Sequence, residues 1–372
     1  MKKVALLTGV LLLLAGVAGA ADTIKIGLMA PLTGSWASEG QEMKQIVELL
    51  TTQLNGKGGL LGKQVELIAE DDGGDPKTAA LAAQRLSTQG VVAVIGTYGS
   101  SVTEAAQTIY DESQIIHIAT GSTAIRLTEK GLKYFFRTSP RDDEQGHVAA
   151  QTIEKMGFKN VAILHDNTTY SKGLADETKG ILEGKGIKIV FYDALTPGES
   201  DYTAILTKLK SANPDGVFFT AYYPEAGLLL RQKKEMGWQV PFVGGDATNN
   251  PDLVKIAGKD AAAGFGFISP PVPQDLFSEE AKSFLAIFQE KYKGTPGSIW
   301  AVLAGDAFRV IAAAIEATKT TDSVKLADYL HNSLKDYSGL TGKISFNEKG
   351  DRVGDLYRVY KVDAEGKFVL QQ

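Results

Sequence analysis

Short apolar runs and amphipathic stretches alternate along most of this chain. The apolar runs are rich in valine, isoleucine and phenylalanine, and they predict buried strands at 23–30, 64–70, 91–96, 115–119, 161–165, 187–192, 216–221 and 241–245. Apolar residues at helical spacing between these runs predict helices at 41–55, from Asp75, near 103–112, and from Ser171, Asp201 and Pro224. Nearly continuous apolar strands that alternate with helices indicate α/β architecture, with parallel sheets covered by helices on both faces.

The alternation occurs as two successive series, which predicts two sheets. The pattern restarts near 137–143, where we expect the chain to cross from one sheet to the other. The proline-rich stretch 269–280 predicts a second crossing. Helices at 279–292 and 298–318 and short strands at 343–347 and 356–362 complete the chain.

Residues 1–20 have the pattern of a secretory signal peptide. Lys2 and Lys3 precede an apolar run that ends in the small residues 18–20. The alternative is a membrane anchor, but the run is short for a span of about 20 residues and its end favours cleavage. We therefore expect residues 1–20 to be removed and the protein to be periplasmic.

Composition narrows the possible functions. The 372 residues, 44% of them hydrophobic, are enough for two cores. The chain has no cysteine, which excludes disulfides and the lipid-anchored form of an exported protein. Loss of Lys2 and Lys3 changes the formal net charge from −5 to −7, which is unfavourable for binding nucleic acid.

Ligands bind outside the carboxyl ends of parallel strands, so the residues that follow the predicted strands are binding candidates. Glycine and hydroxyl-bearing residues follow the first series, at 97–101 and 120–123. Tyrosines and carboxylates follow the second series, at 166–170, 222–223 and 246. Two facing surfaces of this kind could clasp a small zwitterion.

Each candidate has a physical role. Ser100 opens a helix, where free backbone N–H groups and the helix dipole attract a carboxylate, and Thr123 can add a donor nearby. Gly99 and Gly121 allow the backbone to approach a ligand closely. Asp246 can pair with an ammonium group. Each serine or threonine alone is more simply a helix cap, so the argument depends on their joint placement.

The motifs of common catalytic sites are missing. The sequence contains no G-x-G-x-x-G after its first strand, no G-x-x-x-x-G-K-[ST] and no G-x-S-x-G. Its four histidines show no metal-ligand spacing. A hydrolase that uses Ser100 or Ser101 remains an alternative, although no base is predicted near either serine.

Five segments carry a family resemblance. They are "IKIGLMAPLTGSWASEG" (24–40), "LNGKGGLLGKQVELIAEDDGGDP" (54–76), "VIGTYGSSVT" (94–103), "ILHDNTTYSKG" (163–173) and "GDATNNPDLVKIAG" (245–258). In these the chain resembles the periplasmic substrate-binding proteins of branched-chain amino acid ABC transporters, the Leu/Ile/Val-binding type. The resemblance implies the type I periplasmic binding fold, in which two Rossmann-like lobes are joined by a hinge of three crossovers. We predict an N-terminal lobe of 21–141 plus 272–350 and a C-terminal lobe of 142–271 plus 351–372.

The resemblance also implies roles for particular residues. Ser100, Thr123 and Tyr222 would bind the α-carboxylate of an amino acid. Gly121, Thr123 and Asp246 would bind its α-ammonium group. The side chain of the ligand would be surrounded by Trp36, Glu39, Tyr98, Tyr170 and Trp300.

Two departures from the family pattern stand out. In a well-known member a disulfide joins the positions that Gly74 and Gly99 occupy here, and the family often has an aromatic residue at the position of Glu39. A buried, unpaired carboxylate is costly in an apolar pocket, so Glu39 bears on the preferred side chain.

We therefore predict a monomeric, non-enzymatic periplasmic receptor that needs no cofactor or metal and binds no nucleic acid. It would clasp an amino acid, branched-chain or otherwise hydrophobic, and deliver it to a membrane permease. The alternative is the same fold binding an aromatic or other small carboxylate, or a polar amino acid, for uptake or sensing.

Overall fold

The structure is a computed structural model that describes residues 23–371. The predicted signal peptide lies outside the described residues. The first part of the chain forms β1 (Ile24–Ala30), α1 (Ala37–Gly56), β2 (Val65–Asp71), α2 (Pro76–Ser87), β3 (Ala93–Ile95), α3 (Ser100–Glu112), β4 (Ile116–Ala119) and β5 (Phe135–Arg137). These five strands form one parallel sheet in the order β2-β1-β3-β4-β5.

The second part of the chain builds a second sheet. Its elements are α4 (Asp142–Lys155), β6 (Asn160–His165), α5 (Thr169–Gly184), β7 (Lys188–Ala194), α6 (Thr203–Ser211), β8 (Gly216–Phe219), α7 (Tyr223–Glu235), β9 (Phe242–Gly244), α8 (Asp252–Ala257), α9 (Lys259–Ala262) and β10 (Gly266–Ser269). The strands β7, β6, β8, β9 and β10 pair in parallel.

The remaining elements cover or extend the two sheets and add a separate two-stranded antiparallel sheet. They are α10 (Glu279–Tyr292), α11 (Ile299–Thr318), α12 (Ser323–Asp328), β11 (Tyr337–Gly339), β12 (Gly342–Ile344), β13 (Arg358–Val362) and β14 (Phe368–Leu370). The mostly buried helix α11 packs on α1 and on β3 and β4 of the first sheet. Strands β13 and β14 extend the second sheet in antiparallel orientation. The predicted α/β fold with parallel sheets and flanking helices is confirmed, with this antiparallel edge added.

Several helix starts follow directly from the sequence. The Asp75 carboxylate accepts the backbone N–H of Thr78 at 2.8 Å, and Pro76 is the first residue of α2, as predicted. Helix α1 begins at Ala37, four residues before the predicted start. Its first turn contains polar residues and Gly40, whose missing Cβ leaves room for the carbonyl of Pro31.

Eight of these helices and strands escape prediction, namely α4, α8, α9, α12, β5, β10, β11 and β14. Helix α4 buries small residues such as Ala149 and Ala150, which give a weak helical signal. Strands β5, β10 and β14 have only three or four residues and are closely flanked by glycine, proline or polar residues, so no longer apolar run marks them. The strand predicted at 343–347 is the shorter β12.

The chain passes between the two sheets three times, after β5, after β10 and after β12. The first and third connections are held together by buried charges. Arg137 Nε donates to Asp351 Oδ1 at 2.6 Å, and Arg141 Nη1 donates to Asp351 Oδ2 at 2.9 Å. Arg352 Nη1 also donates to the Thr138 carbonyl at 3.3 Å. These contacts fix the position from which α4 enters the space between the sheets.

Candidate functional site

The loops after β3 and β4 form a surface of hydroxyl and N–H groups. Ser100 is the first residue of α3, and its Oγ accepts the N–H of Ala124 at 3.2 Å. The hydroxyl hydrogen of Ser100 is therefore left to be donated elsewhere. A hydroxyl chain links Thr97, Thr103 and Ser122 through oxygen distances of 2.5 Å, which holds the two loops in register.

Thr123 lies beside this surface. It is fully buried, and its Oγ1 has no hydrogen-bond partner among the described residues. Its carbonyl accepts the N–H of Asp142 at 3.0 Å, which links the first sheet to the start of α4. The helix start at Ser100 offers N–H groups of the kind that attract an anion, and the Thr123 hydroxyl lies between this helix start and the Asp142 carboxyl.

The second sheet contributes carboxylates. Asp246 follows β9, is 1% exposed, and accepts a hydrogen bond from the Tyr357 hydroxyl at 3.0 Å. Its backbone N–H donates to Gln145 Oε1 at 2.8 Å. Gln145 Nε2 in turn donates to Asp142 Oδ1 at 3.0 Å and contacts the Tyr357 hydroxyl at 3.1 Å. One amide thus positions two buried acids.

Asp142 and Asp246 are two acids in one dry space. Burial raises the pKa of Asp142 well above its usual value, and the negative charge of Asp246 raises it further. Burial also raises the pKa of Asp246, against hydrogen bonds from Tyr170 and Tyr357 that lower it. The Thr123 hydroxyl and the charge of Arg137 oppose the rise at Asp142. A bound cation would relieve this repulsion and desolvation, as an ammonium group does.

Aromatic rings from both sheets meet next to these groups. The Trp36 ring centroid lies 4.2 Å from that of Tyr222 and 5.4 Å from that of Tyr98. A Cβ at Gly99 would lie 2.8 Å from the Trp36 ring, and a Cβ at Gly74 would lie 2.7 Å from it. The indole therefore occupies the space beside the two glycines where the resemblance implies a disulfide in a family member.

Gly121 and Tyr170, two further predicted ligand contacts, also lie close to the tyrosine rings. A Cβ at Gly121 would lie 2.6 Å from the ring of Tyr98. Tyr170 lies with its ring centroid 5.4 Å from that of Tyr222, and its hydroxyl accepts the N–H of Ala247 at 3.3 Å. Both contacts bring the backbone and rings into the region between the sheets.

Glu39 is fully buried at this boundary. Its Oε1 accepts the Nδ2–H of Asn250 at 2.7 Å, so the bond joins α1 to the loop after β9. Burial raises the pKa of Glu39 to about 8, with hydrogen bonds from Ser298 and Asn250 opposing the rise. The carboxyl is therefore mostly neutral near pH 7. Trp300, at the start of α11, is 1% exposed.

A cavity of about 300 Å³ lies between the two sheets beside Trp36 and Tyr222. Asp166 and Glu225 also line it, and burial raises the pKa of each. None of the described residues that line the cavity is basic. Within residues 23–371, Trp36 and Tyr222 are the only predicted ligand contacts in its lining, so this cavity lies beside the region of Ser100, Thr123 and Asp246 and does not include it.

The structure brings the predicted ligand contacts into one region at the facing edges of the two sheets. They are Trp36, Glu39, Tyr98, Gly99, Ser100, Gly121, Thr123, Tyr170, Tyr222, Asp246 and Trp300. Their roles toward a ligand stay predictions.

Sequence reasoning misses four residues of this region. Asp142, Gln145 and Tyr357 form the network around Asp246, and Asn250 bonds Glu39. Asp142 and Gln145 lie on the unpredicted helix α4, and Tyr357 is more than a hundred residues from Asp246 in the chain. Only the start of a helix at an acidic run, "DDEQ" at 142–145, could have indicated the first two.

Two further features of the described chain bear on other functions. Within residues 23–371, no group of three or more histidine, aspartate or glutamate side chains is arranged to hold a metal ion. No helix in that range is both long and apolar enough to cross a membrane.

Comparison with known proteins gives one consistent answer. The sequence model of a family described as "Periplasmic binding protein" matches residues 23–367. The leucine-, isoleucine-, valine-, threonine-, and alanine-binding protein of Pseudomonas aeruginosa is 36% identical over 344 residues, which cover 92% of this chain and 90% of that protein. A Leu/Ile/Val-binding protein homolog of Brucella melitensis is 35% identical and covers 93% of both chains.

Solved structures agree with this result. A leucine-binding protein from Thermotoga maritima has a TM-score of 0.88 at 28% identity, covering 94% of this chain and 98% of that chain. The substrate-binding protein of a branched-chain amino acid transporter from Streptococcus pneumoniae, solved in complex with isoleucine, has a TM-score of 0.85 at 31% identity. That match covers 94% of this chain and 100% of the other.

Proposed function

Because the chain belongs to the periplasmic binding protein family, we propose that it is the substrate-binding component of an ABC transporter for L-amino acids of the branched-chain type. Relatives named for binding leucine, isoleucine and valine support this function. So does a structural relative solved with isoleucine. The protein would capture the amino acid and deliver it chemically unchanged to a membrane permease.

The proposal is supported mainly by the positions of hydrogen-bond donors and carboxylates, which lie on different sides of the site. Donors from the first sheet, at Ser100 and Thr123, face two buried acids, Asp142 and Asp246. An α-amino acid carries an anion and a cation two bonds apart on one carbon. Its carboxylate matches the helix start at Ser100, and its ammonium group matches the acids.

We propose capture by closure of two lobes around the ligand, with the boundaries predicted above. Contacts between the sheets support a closed arrangement: the Tyr223 hydroxyl lies 3.0 Å from Ser38 Oγ and donates to the Ser35 carbonyl at 3.0 Å. The three connections between the sheets would serve as the hinge. A ligand drives closure only as far as it binds the closed form better than the open one.

A binding role without catalysis is supported by the bonds of the two candidate nucleophiles. Ser100 Oγ accepts from the Ala124 N–H, and Ser101 Oγ accepts from the Thr169 N–H at 2.9 Å. Neither described contact is with a base that could activate a hydroxyl. We further propose export to the periplasm, which the pattern of residues 1–20 and the family both support.

The test uses leucine and two analogues that each lack one charge. We expect titration calorimetry to show L-leucine, L-isoleucine or L-valine binding at micromolar concentration. Isoamylamine lacks the carboxylate and 4-methylpentanoate lacks the ammonium group, so both should bind at least about a hundredfold more weakly. Failure of all twenty L-amino acids to bind would refute the proposal. Equal binding of 4-methylpentanoate and leucine would instead favour a receptor for simple carboxylates.

A matched pair of variants assigns the two ends of the site. Asp246→Asn should weaken leucine binding and leave 4-methylpentanoate unaffected. Ser100→Ala should weaken both, because both ligands carry the carboxylate. Asp193→Asn, an exposed acid on β7 outside the site, is the control and should change neither.

A further inference from the structure

Three polar atoms lie buried without hydrogen-bond partners beside the candidate amino-acid site. They are Glu39 Oε2, the Tyr98 hydroxyl and Trp300 Nε1, and none has a partner within the described chain. Each residue is at most 2% exposed. We call these three residues the polar cluster.

The members of the polar cluster are neighbours. The ring centroids of Tyr98 and Trp300 lie 6.4 Å apart. Burial raises the pKa of Tyr98 well above its usual value, and the nearby Glu39 carboxylate raises it further when it is charged. Ser298 lies close enough to Glu39 to lower the pKa of its carboxyl, and Ser298 Oγ accepts the backbone N–H of Trp300 at 3.1 Å.

The polar cluster also borders the predicted carboxylate site. Tyr98 is two residues before Ser100, and its ring would contact a Cβ at Gly121 at 2.6 Å. A ligand held by Ser100 would therefore have Tyr98 beside it. Trp36 and Tyr222 close the same space, with ring centroids 5.4 and 5.7 Å from that of Tyr98.

The chemistry of the cluster selects among ligand side chains. Buried polar groups are nearly always hydrogen-bonded, and an aliphatic ligand would leave all three atoms unpaired. The indole N–H can only donate, the phenol can donate or accept, and the Glu39 carboxyl offers an acceptor or, when protonated, a donor. An ammonium group could not accept from the indole, and a carboxylate would face a second acid. A hydroxyl or a carboxamide both donates and accepts.

We propose that the polar cluster makes this protein prefer amino acids with a hydroxyl or carboxamide side chain over aliphatic amino acids of the same shape. The inference rests on the proposed function and refines it, because the main-chain recognition is unchanged. Threonine has the shape of valine, and asparagine has the shape of leucine. The preferred ligands are thus branched like the aliphatic ones but polar.

The experiment compares these two isosteric pairs by titration calorimetry on the purified protein. We expect threonine to bind at least about tenfold more tightly than valine, or asparagine at least about tenfold more tightly than leucine. A tenfold difference in affinity corresponds to the free energy of about one net hydrogen bond. Either preference supports the inference and identifies the group. Valine and leucine binding as tightly as their polar partners, or more tightly, overturns the inference while the proposed function stands. No binding by any of the twenty amino acids overturns the proposed function itself.

The variant Tyr98→Phe then tests whether the polar cluster causes the preference for polar amino acids. Tyr98→Phe removes one polar atom without changing the ring, so it should reduce the preference for the polar partner at least about threefold. Tyr110→Phe is the matched control, because Tyr110 is equally buried but bonds Met29 outside the site. An unchanged preference in Tyr98→Phe, with threonine still preferred, would remove Tyr98 from the cluster and overturn the assignment. If Tyr98→Phe does not fold, the wild-type ligand pairs still decide.

Discussion

Replacing Glu39 by glutamine should remove a pH dependence of stability that the burial of this carboxyl creates. Burial raises the pKa of Glu39 from 4.5 to about 8, the Ser298 and Asn250 hydrogen bonds lower it in part, and the charges of Glu42 and Asp252 raise it further. Glutamine has nearly the same shape and still offers an oxygen to Asn250. The substitution therefore changes the titration and little else.

The pH dependence of the free energy of unfolding follows from the difference in proton binding between the folded and unfolded states. The folded protein keeps the proton of Glu39 up to about pH 8, whereas the unfolded chain loses it near pH 4.5. The folded state binds more protons in that window, so the free energy of unfolding falls as the pH rises through it. Each pH unit changes the free energy of unfolding by at most about 1.36 kcal/mol. Between pH 5 and pH 8, the free energy of unfolding of wild type should therefore fall by about 4 kcal/mol relative to that of the variant. An unfolding entropy of about 2.1 cal/mol/K per residue over about 350 residues converts this to about 6 °C in Tm.

The assay is thermal unfolding followed by circular dichroism, without ligand, from pH 5 to pH 8. The Tm of wild type minus that of Glu39→Gln should fall by about 6 °C across this range. Glu48→Gln is the control, because Glu48 is on the same helix but partly exposed, paired with Lys44 at 3.3 Å. Its Tm should follow that of wild type. If wild type and Glu39→Gln change in parallel, Glu39 is not buried as a neutral acid and the reasoning is wrong.

Three further substitutions test other parts of the structure. Asp246→Asn removes one of two buried acids, so the ligand-free Tm should rise while amino-acid affinity falls at least about tenfold; unchanged affinity in calorimetry would contradict an ammonium contact. Gly121→Ala places a Cβ 2.9 Å from the Tyr98 carbonyl oxygen, so urea unfolding should show a loss of about 1–3 kcal/mol, and full stability would mean that this loop can move. Asp351→Asn leaves the buried Arg137 guanidinium without its counter-charge, so it should cost about 3–5 kcal/mol in the same assay; a loss below about 1 kcal/mol would show that the pair does not hold the connections together.

The alternation of apolar runs and amphipathic stretches determines most of the fold. Nine of the strands lie at nearly their predicted positions, because each belongs to a run of at least five residues that is rich in β-branched or aromatic side chains. The short strands β5, β10 and β14 carry no such signal. Helix α4 escapes prediction because small and polar residues form most of its buried face, and its first residue, Asp142, escapes with it.

The order of residues along the chain also shows which side chains follow the strand ends, and parallel pairing places those ends at one edge of each sheet. The order of residues along the chain is therefore enough to select Ser100, Thr123 and Asp246 as binding candidates. The folded structure is needed to show which groups from distant segments are buried together. The Gln145 amide joins Asp142 to Asp246, and Asn250 reaches Glu39 across the boundary between the sheets. Burial sets the charge of these acids, and burial is a property of the packed lobes that no single segment contains.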